Sequence, residues 1–158
     1  MNRAKTSIVL VFVAAMQSNA TSAAESVMQP GAWETRQTTF MFDPQSGKDQ
    51  PILPPFPKVE CLSASFLLSD PYMNPDRDKK EQEQRDTKCT VSDQKRVGNT
   101  ASWTLVCGLP GGAKLEVATV NSVSRDAFSL VSHFKSEGTQ ARTETTSKRI
   151  GECAKIRQ

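Results

Sequence analysis

Four cysteines constrain the fold of this chain more than any other feature of its sequence. Cysteines fix a fold either as metal ligands or as disulfides. The sequence contains no C-x-x-C pair and has a single histidine, His133, so the spacing of a zinc site is missing and we expect no metal or cofactor. We therefore predict two disulfides formed by Cys61, Cys89, Cys107 and Cys153.

The connectivity of these disulfides depends on one hairpin. Four cysteines allow three pairings. Residues 97–100, Val-Gly-Asn-Thr, are typical of a hairpin turn, which favours Cys89–Cys107 and leaves Cys61 for Cys153. A two-residue Gly-Asn turn alone places Cys89 and Cys107 on opposite faces, because side chains alternate along a strand. This pairing therefore needs a bulge or a three-residue loop.

The amino-terminal residues are typical of a secretory signal peptide. Arg3 and Lys5 precede an apolar run over residues 8–16, and small residues follow up to Ala24. The run is about ten residues long, whereas a membrane-spanning helix needs about 20. We expect cleavage after Ala24, so that residues 25–158 form one exported domain without a membrane segment, in an oxidising compartment where disulfides persist.

The charge of the mature chain excludes one class of partner. Removing residues 1–24 takes two of the 20 basic residues and none of the 17 acidic ones, so the formal charge falls from +3 to about +1. Nucleic-acid-binding domains carry a basic face for phosphate contacts. We expect no nucleic-acid partner.

Period-two alternation of apolar and polar residues predicts a mainly β fold. We predict a single antiparallel meander sheet or a small open barrel, held by the disulfides and accompanied by a short helix. The last predicted strand has no large apolar side chain, so we expect it at an edge of the sheet. The alternating runs cover residues 32–42, 101–107, 114–121, 127–134 and 139–149.

Three segments between the strand runs have distinct compositions. Residues 51–57 contain four prolines and are predicted to form an extended loop without ladder hydrogen bonds. Ser63 is placed to cap a short helical turn that ends at Leu68. Ten of the 13 residues in 76–88 are charged, and no apolar stripe accompanies them, which predicts a charged insert that is either a solvated helix after Pro75 or disordered.

Landmarks along almost the whole mature chain resemble a family of secreted bacterial proteins, the domain of unknown function 3617. The resemblance implies a β-rich, cysteine-bearing domain exported to the periplasm or beyond in a Gram-negative bacterium, and it implies no activity. Members often carry methionines where this chain has its proline-rich segment. The landmarks are residues 28–34 (Met-Gln-Pro-Gly-Ala-Trp-Glu), 61–63 (Cys-Leu-Ser), 89–91 (Cys-Thr-Val), 98–100 (Gly-Asn-Thr), Trp103, Cys107, 110–112 (Pro-Gly-Gly) and 148–153 (Lys-Arg-Ile-Gly-Glu-Cys).

No catalytic constellation is visible in the sequence. His133 falls within a predicted strand, and no G-x-S-x-G elbow is present for a serine nucleophile. We therefore predict a non-enzymatic protein. A hydrolase with an unrecognised carboxylate site is the enzyme alternative, although the spacing of the acids selects no acid and base. The acids weighed for it are Glu116, Asp126, Glu137 and Glu144.

Two binding hypotheses remain. In the first, the protein binds another envelope protein through its sheet edge or its charged insert. In the second, it carries a small apolar ligand in a cleft of the sheet lined by Trp33, Trp103 and Phe128, with Phe40, Phe42 and Phe134 as further aromatic candidates. Core packing explains these aromatic residues as well. The sequence does not define the oligomeric state.

Overall fold

The computed structural model describes residues 27–52, 54–85 and 87–153. The predicted signal peptide and its cleavage site lie outside these residues. The described residues form one antiparallel sheet of eight strands and two short helices, which confirms the predicted mainly β fold. In chain order the elements are β1 (Gly31–Asp43), β2 (Lys48–Pro51), β3 (Phe56–Leu62), α1 (Ala64–Leu68), α2 (Asp76–Glu83), β4 (Lys88–Val97), β5 (Thr100–Gly108), β6 (Lys114–Val123), β7 (Ala127–Ser136) and β8 (Thr139–Gly151).

Strands β4 to β8 form a meander, in which each strand pairs with the next one in the chain. β1 pairs with the other side of β8 and so extends the sheet. Both β2 and β3 pair with the free side of β1, β3 along residues 31–37 and β2 along residues 40–43. One edge of the sheet is therefore shared by β2 and β3, and β4 forms the other edge.

The prediction that the last strand lies at an edge is wrong. β8 lies between β1 and β7 and pairs with both along most of its length. Its small side chains suit this central place, because Ser147 is buried and its hydroxyl is 2.8 Å from the hydroxyl of Thr35 on β1. A central strand needs large apolar residues only where another layer packs on it.

The sheet contains both disulfides of the favoured pairing, Cys61–Cys153 and Cys89–Cys107. Cys89 lies directly opposite Cys107 in the β4–β5 ladder. The register shifts between Ser92 and Lys95, so a bulge supplies the extra residue that a two-residue turn requires. The second disulfide joins the β3 edge to the chain just beyond β8.

The proline-rich segment is more regular than the sequence predicts. Pro51 belongs to β2, and Phe56 and Pro57 belong to β3, so the extended loop is confined to the residues between these strands. A proline is tolerated there because β2 and β3 are edge strands, whose outward backbone groups have no ladder partner.

The inner face of the sheet, defined here as the face that carries Trp33, Trp103 and Phe128, holds the core. As predicted, Ser63 caps α1: its hydroxyl oxygen accepts the backbone N–H of Phe66 at 3.1 Å. α1 and the residues after it cover one half of this inner face. The largest fully buried side chains are Trp33, Trp103, Leu67, Leu105, Asn121, Thr119 and Cys107.

Candidate functional site: a cleft between α2 and the sheet

A cleft of about 430 Å³ lies between α2 and the half of the inner face that α1 leaves uncovered. Strands β5 to β8 and β1 form its floor, α2 forms one wall, and β3 lies at the other side. This volume falls within the range of about 300–1,000 Å³ that is usual for small-molecule sites.

The floor of the cleft combines apolar side chains with hydroxyl groups. Strand pairing places equivalent inner-face residues side by side, so that they form rows across the sheet. Leu130 and Phe134 on β7 are only half-buried, although both belong to the core-facing side of the sheet. One row includes Leu105, Val117 and Phe134, and the next row includes Thr119, Ser132 and Thr143.

The α2 wall brings no apolar side chain to this floor. The sequence of α2 is Asp-Arg-Asp-Lys-Lys-Glu-Gln-Glu, and none of its residues is buried. The helix forms through local interactions instead: Asn74 Oδ1 accepts the backbone N–H of Asp76 at 3.1 Å, and Lys79 pairs with Glu83 at 2.5 Å. Residues 76–83 of the charged insert thus form a helix, and this helix leaves the apolar floor uncovered.

Tyr72 closes the end of the cleft nearest the core. Its ring stacks on Phe128 at a centroid distance of 4.3 Å, and the Arg77 guanidinium lies 4.6 Å from the centre of the Tyr72 ring. Asn121 fixes this segment on the sheet, because its buried Nδ2 donates to the Tyr72 carbonyl oxygen at 2.7 Å. Burial raises the pKa of Tyr72 to about 12, although the nearby Arg77 charge opposes the shift.

Ion pairs line both sides of the cleft. On α2, Arg77 contacts Asp78 at 2.9 Å and Glu81 at 3.9 Å. On β3, Lys58 contacts Glu60 at 3.1 Å. The lining residues therefore include cations and carboxylates on either side of an apolar floor.

The structure separates the three aromatic residues that the sequence grouped. Trp33 and Trp103 lie in the core with 0% and 2% of their surface exposed. Phe128 is also largely buried, but it contributes to the lining of the cleft. Phe134, another aromatic candidate for the cleft, also lines it, whereas Phe40 and Phe42 are not among its lining residues. Sequence reasoning missed Leu130 and the α2 wall; the inward positions of the 127–134 run were the available signal for Leu130.

The residues weighed for catalysis do not converge. His133 is exposed on the outer face, opposite Arg142 on β8. Glu116 and Glu144 also project from the outer face, whereas Asp126 and Glu137 lie at the turns that flank β7. Within the described ranges, no group of three His, Cys, Asp or Glu side chains is arranged to hold a metal ion.

These features define a class of protein: a small, disulfide-linked antiparallel sheet with short helices over half of one face and a cleft over the other half. The family described as "Protein of unknown function (DUF3617)" matches residues 28–153, and the chain belongs to it. Searches of curated proteins and of solved structures find no match to this chain. No helix among the described residues is long and apolar enough to cross a membrane.

Proposed function

We propose that this protein is an exported, non-enzymatic binding protein that holds a small amphiphilic ligand in the cleft. The observation that carries the proposal is the mismatch between the two sides of the cleft. An apolar sheet floor lies under a helix that has no apolar residue to cover it.

A ligand with an apolar part would complete the packing of this floor. Burying a leucine or phenylalanine side chain contributes about 1.5–3 kcal/mol. Leu130 and Phe134 are half-buried in the free protein, so a ligand gains part of that free energy by covering them. The polar part of the ligand would then face the charged residues of α2 and β3.

The carboxylates of the cleft favour a binding role over hydrolysis. Glu60, Asp78 and Glu81 each lie within ion-pair distance of Lys58 or Arg77. A hydrolase with two carboxylates needs one that is protonated and one that is free to act as base or nucleophile. Each of the three is instead paired with a cationic side chain, which leaves none of them free for either role.

Export to the periplasm, or beyond it, is part of the proposal. The signal-peptide pattern at residues 1–24 and the two disulfides support it, since disulfides persist in oxidising compartments and are rare in the cytosol.

An envelope-protein partner is the second candidate, and the exposed charges of α2 favour it. The sheet edges are poorer docking surfaces. The β4 edge carries a bulge and the basic residues Lys95 and Arg96, and the opposite edge carries Pro51 and Pro57. Bulges, charged residues and prolines at an edge all oppose the addition of a further strand.

A pull-down with the wild type and with a variant whose charges at Lys80 and Glu83 are reversed tests this candidate. Recovery of the same proteins by both forms contradicts docking through α2.

Binding of a neutral apolar dye, N-phenyl-1-naphthylamine, tests the ligand proposal. We expect the mature protein to enhance the fluorescence of the dye and Leu130→Arg to abolish this enhancement. Val131→Arg is the matched control, because Val131 is the next residue of β7, is also half-buried, and points to the outer face. Equal enhancement by both variants, at unchanged thermal stability, contradicts binding in the cleft.

A further inference from the structure

The charges around the cleft restrict the head group that an amphiphilic ligand can carry. This inference rests on the proposed function and deepens it. The lining residues include three cations, Lys58, Arg77 and Arg85, and three carboxylates, Glu60, Asp78 and Glu81.

The α2 pair is the more strongly desolvated of the two groups. The side chains of Arg77 and Asp78 are 26% and 18% exposed, whereas those of Lys58 and Glu60 are 72% and 31% exposed. Charge interactions strengthen as water is excluded, and exposed surface pairs contribute little. Arg77 and Asp78 therefore make the strongest electrostatic interactions with a bound head group.

A head group with a single charge fits this arrangement poorly. An anion that approaches Arg77 also meets the carboxylates of Asp78 and Glu81, and a cation that approaches these carboxylates meets Arg77. A head group with both charges can place its anionic part on the guanidinium and its ammonium on a carboxylate. Charge complementarity of this kind determines specificity more than total affinity.

We infer that the cleft selects a single-chain amphiphile with a zwitterionic head group, such as a phosphate linked to a quaternary or primary amine. The hydrocarbon chain lies against Leu130 and Phe134, the half-buried apolar residues of the cleft floor. The phosphate accepts hydrogen bonds from Arg77, whose guanidinium carries five N–H donors, and the amine lies against Asp78 and Glu60. One cleft of about 430 Å³ suits one chain.

A set of dodecyl amphiphiles that differ only in the head group tests this inference. The probes are dodecylphosphocholine, dodecanoate, dodecyltrimethylammonium and dodecyl maltoside, each below its critical micelle concentration. Binding to the mature protein is measured as displacement of N-phenyl-1-naphthylamine. We expect dodecylphosphocholine to bind at least about tenfold more tightly than either singly charged probe and than the maltoside.

A variant with two neutralised carboxylates identifies the residues that determine specificity for the head group. Asp78→Asn combined with Glu60→Gln removes the carboxylates assigned to the amine, and we expect dodecanoate to become the preferred probe. The control combines Asp76→Asn with Glu116→Gln, which changes the net charge equally at exposed positions outside the cleft. This control retains the wild-type order of affinities.

The outcomes separate this inference from the proposed function. Similar affinity for all four probes, or a preference for a singly charged or sugar head group, overturns the zwitterion assignment and leaves apolar binding in place. No displacement by any probe overturns both. An unchanged order of affinities in the Asp78→Asn, Glu60→Gln variant refutes the roles given to these two residues.

Discussion

The buried ring of Tyr72 makes the stability of this protein depend on alkaline pH in a way that can be measured at one residue. Tyr72 is the sole tyrosine of the chain, and 5% of its surface is exposed. Burial between Phe128 and the helical segment raises its pKa from 10.0 to about 12, because the phenolate would lose its hydration.

The sign and the size of the effect follow from this shift. The neutral phenol is favoured in the folded protein, so the full stabilisation is present below pH 10. It is lost as the pH rises toward 12, because the unfolded chain ionises first. A shift of about two pKa units corresponds to about 2.7 kcal/mol of unfolding free energy.

Two assays follow this change. Ultraviolet absorbance of the phenolate reports the pKa of Tyr72 directly, because the chain has no second tyrosine. Urea unfolding between pH 9 and pH 12 reports the free energy, and Tyr72→Phe serves as the reference that removes the contributions of lysines. We expect the difference between wild type and Tyr72→Phe to fall by about 2.3 kcal/mol by pH 12, where Tyr72 in the folded protein is half-ionised.

Arg77→Gln provides an independent check, since the Arg77 charge lowers the pKa of Tyr72 and its loss is expected to raise that pKa further. An ordinary phenolate titration near pH 10 in the folded wild type would refute the reasoning. It would mean that water reaches the ring and that Tyr72 does not close the end of the cleft.

Three further predictions concern stability. The double variant Cys61→Ala, Cys153→Ala opens a 92-residue loop. In the chain-entropy model it is expected to lower the free energy of unfolding by about 4.6 kcal/mol, measured in urea, and to increase the m-value. A loss below about 1 kcal/mol contradicts the stabilising role of this disulfide. Gly31→Ala would bring the new Cβ against the carbonyl oxygen of Gly151, at a residue whose φ is +146°. The melting temperature of this variant should therefore fall well below that of the control Gly47→Ala, whose new Cβ meets nothing within 4 Å. Equal melting temperatures of the two variants contradict the clash. Asn121→Leu removes the buried hydrogen-bond donor to the Tyr72 carbonyl oxygen. The free energy of unfolding, measured by heat or urea, is expected to fall by about 1–3 kcal/mol. An unchanged stability contradicts burial of this hydrogen bond.

Local patterns allowed much of the fold to be predicted from the sequence. The alternation in residues 101–107 and 114–121 identifies β5 and β6, and Ser63 identifies the start of α1. The hairpin argument also led to the bulge in β4, because covalent geometry requires Cys89 and Cys107 to face the same side of the sheet. These features depend on neighbours in the chain.

Long-range pairing could not be read in the same way. Nothing in the composition of residues 139–149 indicates that β1, more than 100 residues earlier, pairs with β8 and places it in the centre of the sheet. Likewise, both tryptophans were candidate ligand contacts on aromatic character alone. Trp33 and Trp103 belong to a buried cluster that includes Leu67 of α1, Tyr72 and Met73, and no local pattern specifies this grouping.

Two segments whose sequences are not typical of a protein core together explain why the cleft is present. Residues 76–88 lack an apolar stripe, and residues 139–149 lack a large apolar side chain. In the fold, α2 forms the wall of the cleft, and Thr143 and Thr145 of β8 form part of its floor. Small polar side chains on one side and charged side chains on the other cannot fill the space between helix and sheet, so Leu130 and Phe134 of β7 remain partly uncovered. The short side chains of Thr143 and Thr145 leave this volume open, and it is the space in which we propose that an amphiphile binds.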